Sequence, residues 1–472
     1  PTIGRMSAPV PTPDRLGPLI TGLEAGLLER SAAVRLALLA ALAGEHVLLI
    51  GPPGTAKSEL ARRLHLAFAD ARYFERLLTR FSVPEELFGP LSLAALEDDR
   101  YERLTDGYLP TAGVAFLDEV FKANSAILNA LLTLLNEREF DNGVQRLAVP
   151  LICVVGATNE VPQEEGLRAF HDRFLVRVPV APVSDAQFKS LLTLSVPPPT
   201  RTLTAVQPLR RDELDALRKA ATAVALPEPV LQALQAARHF GADQGLLVSD
   251  RRWRQTVGLL RVQAASEGRT AVDEADLWLL PYVLPERPEQ VGVWQTWVID
   301  TLMACPTTER PGLQRAVEAF ERQLDIETST RQDDGEAGKL VLARSIARGD
   351  DDGAREGGIT RLVAERLEER LRQHYSPVHI AARVAQVDEL LQHLTDEHQR
   401  LERARMQAQA LLQHRLWWPP VLRQTVLQRH EDACAQMAAW RARAQSARDG
   451  FAQLPVDETL AGTPPAPIAL EA

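Results

Sequence analysis

The chain has 472 residues, 45% of them hydrophobic and 25% charged, with a formal net charge of -10. That length exceeds one ordinary domain and suggests about three, with a globular composition. The acidic balance argues against a mainly electrostatic grip on DNA or RNA, which needs a basic face, and leaves only a local basic patch or pore open. Cys153, Cys305 and Cys434 lie far apart without a CxxC pair, which fits free thiols in a reducing compartment. The longest apolar run, LALLAALA, is too short to span a bilayer and is closed by Gly44 and Glu45. The opening PTIGRMSAPVPTPD has no signal-peptide apolar region. A cytoplasmic protein is expected, and the start at Pro1 leaves a longer N-terminus open.

In chain order, residues 1–13 read as a flexible proline-rich segment, and 19–43 as a helix with a broad apolar face. HVLLIGPPGTAKSELARRLHLAF reads as a buried strand (Val47–Ile50), a glycine loop and a helix. GVAFLDEV (113–120), LICVVGATNE (151–160) and FLVRVPV (174–180) read as three further strands, with helical patterns such as NSAILNALLTLLNER (124–138) between them. Alternation of this kind predicts an α/β domain over 14–190, a parallel sheet flanked by helices. Residues 191–285 read as an all-α lid, with a helix start at Ser249-Asp250. A C-terminal helical domain is expected in two parts, 286–327 and 378–450. Between them, 328–377 reads as a linker or short, partly disordered insert, because 330–358 is rich in Gly and Asp. Ile380, Val384, Val387, Leu391, Leu394 and Leu401 alternate in spacings of four and three, broken at His398. So short a seam fits an intramolecular helix pair. Trp417 and Trp418 beside Pro419 read as a packed corner, and 451–472 as a disordered tail.

The chemistry centres on GPPGTAKS, residues 51–58. A strand running through such a loop into a helix binds phosphates with backbone N–H groups and the helix dipole. Gly51, Pro52, Pro53, Gly54, Thr55 and Ala56 form the loop. Lys57 would reach the β and γ phosphates, and Ser58 would hold Mg²⁺. Ala56 stands where such loops usually carry a glycine, and its small methyl group is tolerable there if the local backbone keeps φ negative. Asp118 and Glu119 close an apolar strand about sixty residues on, at the sheet edge where α/β proteins bind ligands. Asp118 suits the metal, and Glu119 suits polarising the attacking water. Asn159 in GATNE could orient that water or be a turn asparagine. Arg173 in HDRF could be an arginine finger for a neighbour's site or a surface ion pair. Arg251 in SDRRW lies in a helix's first turn, where a cation opposes the dipole and a ligand phosphate would account for it.

Together these residues resemble the AAA+ ATPases, and within them the MoxR family, over about residues 14–285. GPPGTAKS, FLDE, ATNE, DRF and SDRRW stand in the family's order. The family accepts alanine at the Ala56 position. LFGPL (87–91) and EFDNGVQRLAVP (139–150) look like the insertions of the helix-two-insert group. GLLERSAAVRLALLAAL and RFSVPEELFGPLS look closer still to the RavA branch. The resemblance implies that Lys57, Ser58, Asp118 and Glu119 serve ATP and Mg²⁺. It makes Asn159 the first sensor, Arg173 the trans-acting finger and Arg251 the second sensor, with the adjacent Arg252 as the alternative. It implies a hexameric ring that remodels a protein, with a von Willebrand factor A (vWA) domain protein as partner. The 328–377 insert is too short and polar for RavA's β-rich module, so the partnership that depends on that module is not implied. Two other readings stay open: a nucleic-acid-stimulated motor, and a scaffold that binds ATP without turnover.

Overall fold

The computed structural model describes residues 9–162, 164–194, 207–305, 311–329, 374–460 and 462–466. The chain divides into two compact units. The first spans residues up to Ala304 together with 410–426, and the second spans 305–409 together with 427 onward.

The first unit opens with helices α1 (Pro13–Glu24) and α2 (Ser31–Ala43) and is built on five parallel strands. These are β1 (His46–Ile50), β2 (Tyr73–Leu77), β3 (Val114–Asp118), β6 (Cys153–Thr158) and β7 (Phe174–Pro179), in the order β2-β3-β6-β1-β7. The central strands β1 and β6 are buried at every residue, so they read as unbroken apolar runs rather than as alternating patterns. β4 (Glu139–Asn142) and β5 (Gln145–Ala148) form a separate antiparallel hairpin. Helix α3 (Lys57–Leu66) follows β1; α4 (Pro84–Phe88) and α5 (Leu93–Glu97) lie between β2 and β3. α6 (Ser125–Glu137) starts where Asn124 Oδ1 accepts from Ile127 N at 3.1 Å. It buries Ile127, Leu131 and Leu134, the stripe expected of an amphipathic helix. α7 (Glu165–His171) precedes β7 and α8 (Asp185–Leu192) follows it.

The helical lid comprises α9 (Arg211–Thr222), α10 (Glu228–Asp243), α11 (Asp250–Ser266), the short α12 (Leu280–Val283) and α13 (Pro288–Thr301). Ser249 caps α11 by accepting from Arg252 N, as its sequence position predicts. Residues 286–304, expected to open the C-terminal domain, belong to the first unit instead. Trp294 of α13 packs edge-on against Phe240 of α10 with ring centroids 5.1 Å apart.

Trp417 and Trp418 are fully buried in the lid. Their indole N–H groups donate to Ser266 Oγ at 2.8 Å and Ala275 O at 3.1 Å. Beside them Arg415 pairs with Glu267, Asp273 and Asp276.

The second unit packs α14 (Pro311–Thr328), most of α15 (Pro377–Gln413) and most of α16 (Pro420–Ala452) around Phe320, Leu394, Met437 and Phe451. The buried seam of α15 uses Leu390 where the heptad reading has the partly buried Leu391. The tail expected from 451 is ordered at its start: Phe451 and Leu454 are buried, and Tyr375 N donates to Pro455 O at 2.8 Å. The interior of the 328–377 insert, residues 1–8 and residues 467–472 lie outside the described residues.

Candidate functional site

The strand order sets β1, β6 and β3 side by side. Lys57 follows β1, Asn159 follows β6, and Asp118 ends β3 with Glu119 next to it, so all four stand at the carboxyl edge of neighbouring strands. Gly51 is required by a close approach, since a Cβ there would sit 2.0 Å from Val180 O. Gly54 adopts φ +79° and, with Pro52 and Pro53, is exposed. Thr55 is buried, and its hydroxyl donates to Pro52 O at 2.9 Å.

Ala56 does not keep a negative φ. It adopts φ +66° and ψ +25°, the left-handed region, at a cost of about 1–2 kcal/mol for a residue with a Cβ. Ala56 O accepts from Leu60 N at 3.0 Å, the first bond of α3. Alanine also gives α3 no side-chain cap, so its first N–H groups keep their capacity for an anion. Lys57 is buried with Nζ donating to Gly51 O at 2.7 Å and Pro52 O at 2.8 Å. Burial lowers the pKa of its ammonium, and Asp118 and Glu119 act in the opposite sense. Ser58 is half-buried in the same turn. An uncapped helix start, a buried lysine and facing carboxylates fit a nucleoside triphosphate with a divalent cation.

Glu119 also adopts a left-handed backbone, φ +51°. Its carboxylate accepts from Asn159 Nδ2 at 2.6 Å and pairs with Lys122 at 3.3 Å. Asp118 Oδ1 accepts the Glu119 N–H at 3.0 Å.

Two supporting residues escaped the sequence reading. Lys122 carries no motif signal. Arg30 is buried and ties the loop to the end of β7, donating to Thr55 O at 3.1 Å and Ala181 O at 2.6 Å. Only the fold reveals that role, because Arg30 lies about twenty residues upstream of the phosphate loop it holds.

The arginines are elsewhere. Arg173 immediately precedes β7, at the amino edge of the sheet, and its buried Nε and Nη1 have no hydrogen-bond partner among the described residues. Arg251 is exposed, donates to Asn136 Oδ1 at 3.2 Å and lines a cleft with Ala43 and Glu45, which precede β1. A five-residue strand spans about 16 Å, so neither arginine is brought to the Lys57 loop of its own chain. Of the adjacent pair, Arg252 is consumed by the core. It is buried and bonded to Asp172 Oδ1 at 3.0 Å, Leu175 O at 2.6 Å and Val283 O, leaving Arg251 as the exposed one.

A family model described as the MoxR domain in MoxR-vWA-beta-propeller ternary systems matches residues 14–219, and an AAA lid domain model matches 229–298. The chain belongs to the MoxR family of AAA+ ATPases. The matched model carries no RavA assignment. The chain is 40% identical over 270 residues to the uncharacterized protein MJ0812 of Methanocaldococcus jannaschii, covering 57% of this chain and 70% of that one. It is 40% identical over 263 residues to MJ0079 of the same organism, covering 55% and 67%. A crystal structure of a candidate ATPase from Cytophaga hutchinsonii aligns at 17% identity and TM-score 0.48, over 62% of this chain and 94% of that one. No described helix is long and apolar enough to cross a membrane.

Proposed function

We propose that this MoxR protein is one subunit of a closed, six-membered ring that hydrolyses MgATP and remodels a protein partner. The observation carrying this reading is the separation of its charges. The loop, Lys57 and the acids stand at one edge of the sheet, while Arg173 and Arg251 stand at the other, so a second copy must supply the arginines. Head-to-tail repetition of such a contact makes a ring when its rotation closes. Lys57 and the N–H groups opening α3 hold the phosphates, and Ser58 and Asp118 hold the magnesium. Glu119 orients and deprotonates water, with Asn159 fixing its carboxylate. Bound MgATP supplies the phosphoanhydride that is cleaved. The partner in this reading carries a vWA domain, supported by the systems for which the matched family model is named.

Turnover per subunit, measured over a range of protein concentrations, is expected to require Mg²⁺ and to rise as the protein assembles. It is expected to vanish in Lys57→Ala. Magnesium-independent turnover, or none at any concentration, overturns the reading. Co-purification with vWA proteins from the native cell tests the partner, and a Glu119→Gln bait that captures none of them removes it.

A further inference from the structure

Helix α8 buries none of its eight residues. Phe188, Leu191 and Leu192 share one helical face and are 50%, 42% and 71% exposed. Three large apolar side chains at spacings of three and four, on a helix that contributes nothing to the core, form a stripe without a partner among the described residues. The helix is nevertheless held in place. Ser184 N donates to Glu29 Oε2 at 2.9 Å just before its first turn, and Val180 N donates to Ile50 O at 2.7 Å, where the phosphate loop begins. α8 therefore stands at the carboxyl edge of the sheet, beside the loop.

At the amino edge lies an open cleft of about 700 Å³, where Ala43 and Leu259 flank Gly258 and Arg218, Arg251 and Arg254 bring positive charge. Gly258 is exposed in the middle of α11, where glycine costs about 1 kcal/mol relative to alanine. A Cβ at Gly258 would meet nothing within 4 Å. The packing of the described residues gives no reason for the glycine, whereas a helix lying across that point would. The two edges are also complementary in charge. In the cleft Arg218, Arg251, Arg254 and Arg261 outnumber Glu45 and Asp250, and on the α8 side Asp118, Glu119, Glu160 and Asp185 outnumber Lys57, Lys122 and Lys189.

We infer that the Phe188–Leu191–Leu192 ridge of one copy of this chain seats in the cleft over Gly258 of the next, as an amphipathic helix enters a groove. The inference rests on the ring reading above and adds the contact that forms the ring. That contact delivers Arg251 toward the neighbour's phosphates.

The test uses the full chain with MgATP and reads its mass by light scattering, with a fluorescent ATP analogue to read nucleotide binding. Leu192→Asp and Gly258→Leu alter exposed positions and are expected to retain nucleotide binding. Each is expected to raise the concentration needed for assembly at least about tenfold, the effect of about 1.4 kcal/mol per contact. A mixture of Leu192→Cys and Gly258→Cys proteins is expected to form a dimer with a short bismaleimide, beyond what either forms alone. If wild type assembles and both the Asp and Leu variants assemble equally well, or the mixed pair does not crosslink, this contact is wrong and the ring survives. If wild type never assembles in any nucleotide state, the ring reading itself falls.

Discussion

Asn159 donates a 2.6 Å hydrogen bond from Nδ2 to Glu119 Oε1, joining the ends of two adjacent strands. The acceptor residue is held with φ +51°, a conformation that disfavours a glutamate and that persists only where the surroundings enforce it. The bond fixes the direction of the Glu119 carboxylate. Asn159→Ala is expected to lower kcat by about 10²-fold, the usual contribution of a positioned base, while KM changes little. Steady-state kinetics that show KM rising with kcat intact would assign Asn159 to nucleotide binding.

Ala56 carries a left-handed backbone in a loop that tolerates glycine. Ala56→Gly is expected to raise unfolding free energy by about 1 kcal/mol, the strain relieved less the added chain entropy. Urea denaturation of the two proteins measures this, and unchanged ATP affinity would show that alanine is no requirement of the site.

Glu45 lies between the start of β1 and α11, accepts from Gln255 Nε2 at 2.9 Å and has its carboxyl pushed up to about 7 by burial, against the pull of Arg138. The folded chain therefore holds a proton there that the unfolded chain releases near the ordinary carboxylate range. Its stabilising contribution is complete below that range and lost as pH rises through about 7. Glu45→Gln keeps the site neutral, so its advantage over wild type should open as pH rises from the ordinary carboxylate range to about 7 and stay constant above that, at on the order of 3 kcal/mol. Buried His46, held down to about 3, acts equally in both proteins and cancels in the difference. Chemical denaturation of both at several pH values checks the widening gap.

Trp417 and Trp418 fill the lid with both indole N–H groups bonded. Trp417→Ala is expected to cost about 3–5 kcal/mol, seen as an early thermal transition. A variant melting within error of wild type would contradict the packing.

Four of the five parallel strands were legible because each is a short apolar run bounded by turn residues. β2, YFERL, was not: it is an edge strand with Glu75 and Arg76 partly open to solvent, and neither periodicity nor apolar content marks it. The loop and acidic motifs were legible because their spacing follows local strand-to-helix chemistry. Ala56's positive φ was hidden because sequence carries no backbone sign for alanine. The position of Arg251 was hidden for a different reason. A motif names a helix start, but only the packing of α11 against α2 and the start of β1 decides which sheet edge that start faces. Residues 286–304 were misassigned because the affinity of Trp294 for Phe240 is a long-range contact.

The central claim is that each phosphate site is completed by an arginine from a neighbouring copy. Arg173→Ala and Lys57→Ala proteins are to be assayed alone and mixed. Alone, each is expected to lose ATPase activity, the arginine variant by about 10³–10⁵-fold while still binding nucleotide. Mixed, the intact loop of one meets the intact arginine of the other, and turnover should return to a substantial fraction of wild type. A mixture that assembles yet stays at background would contradict the account.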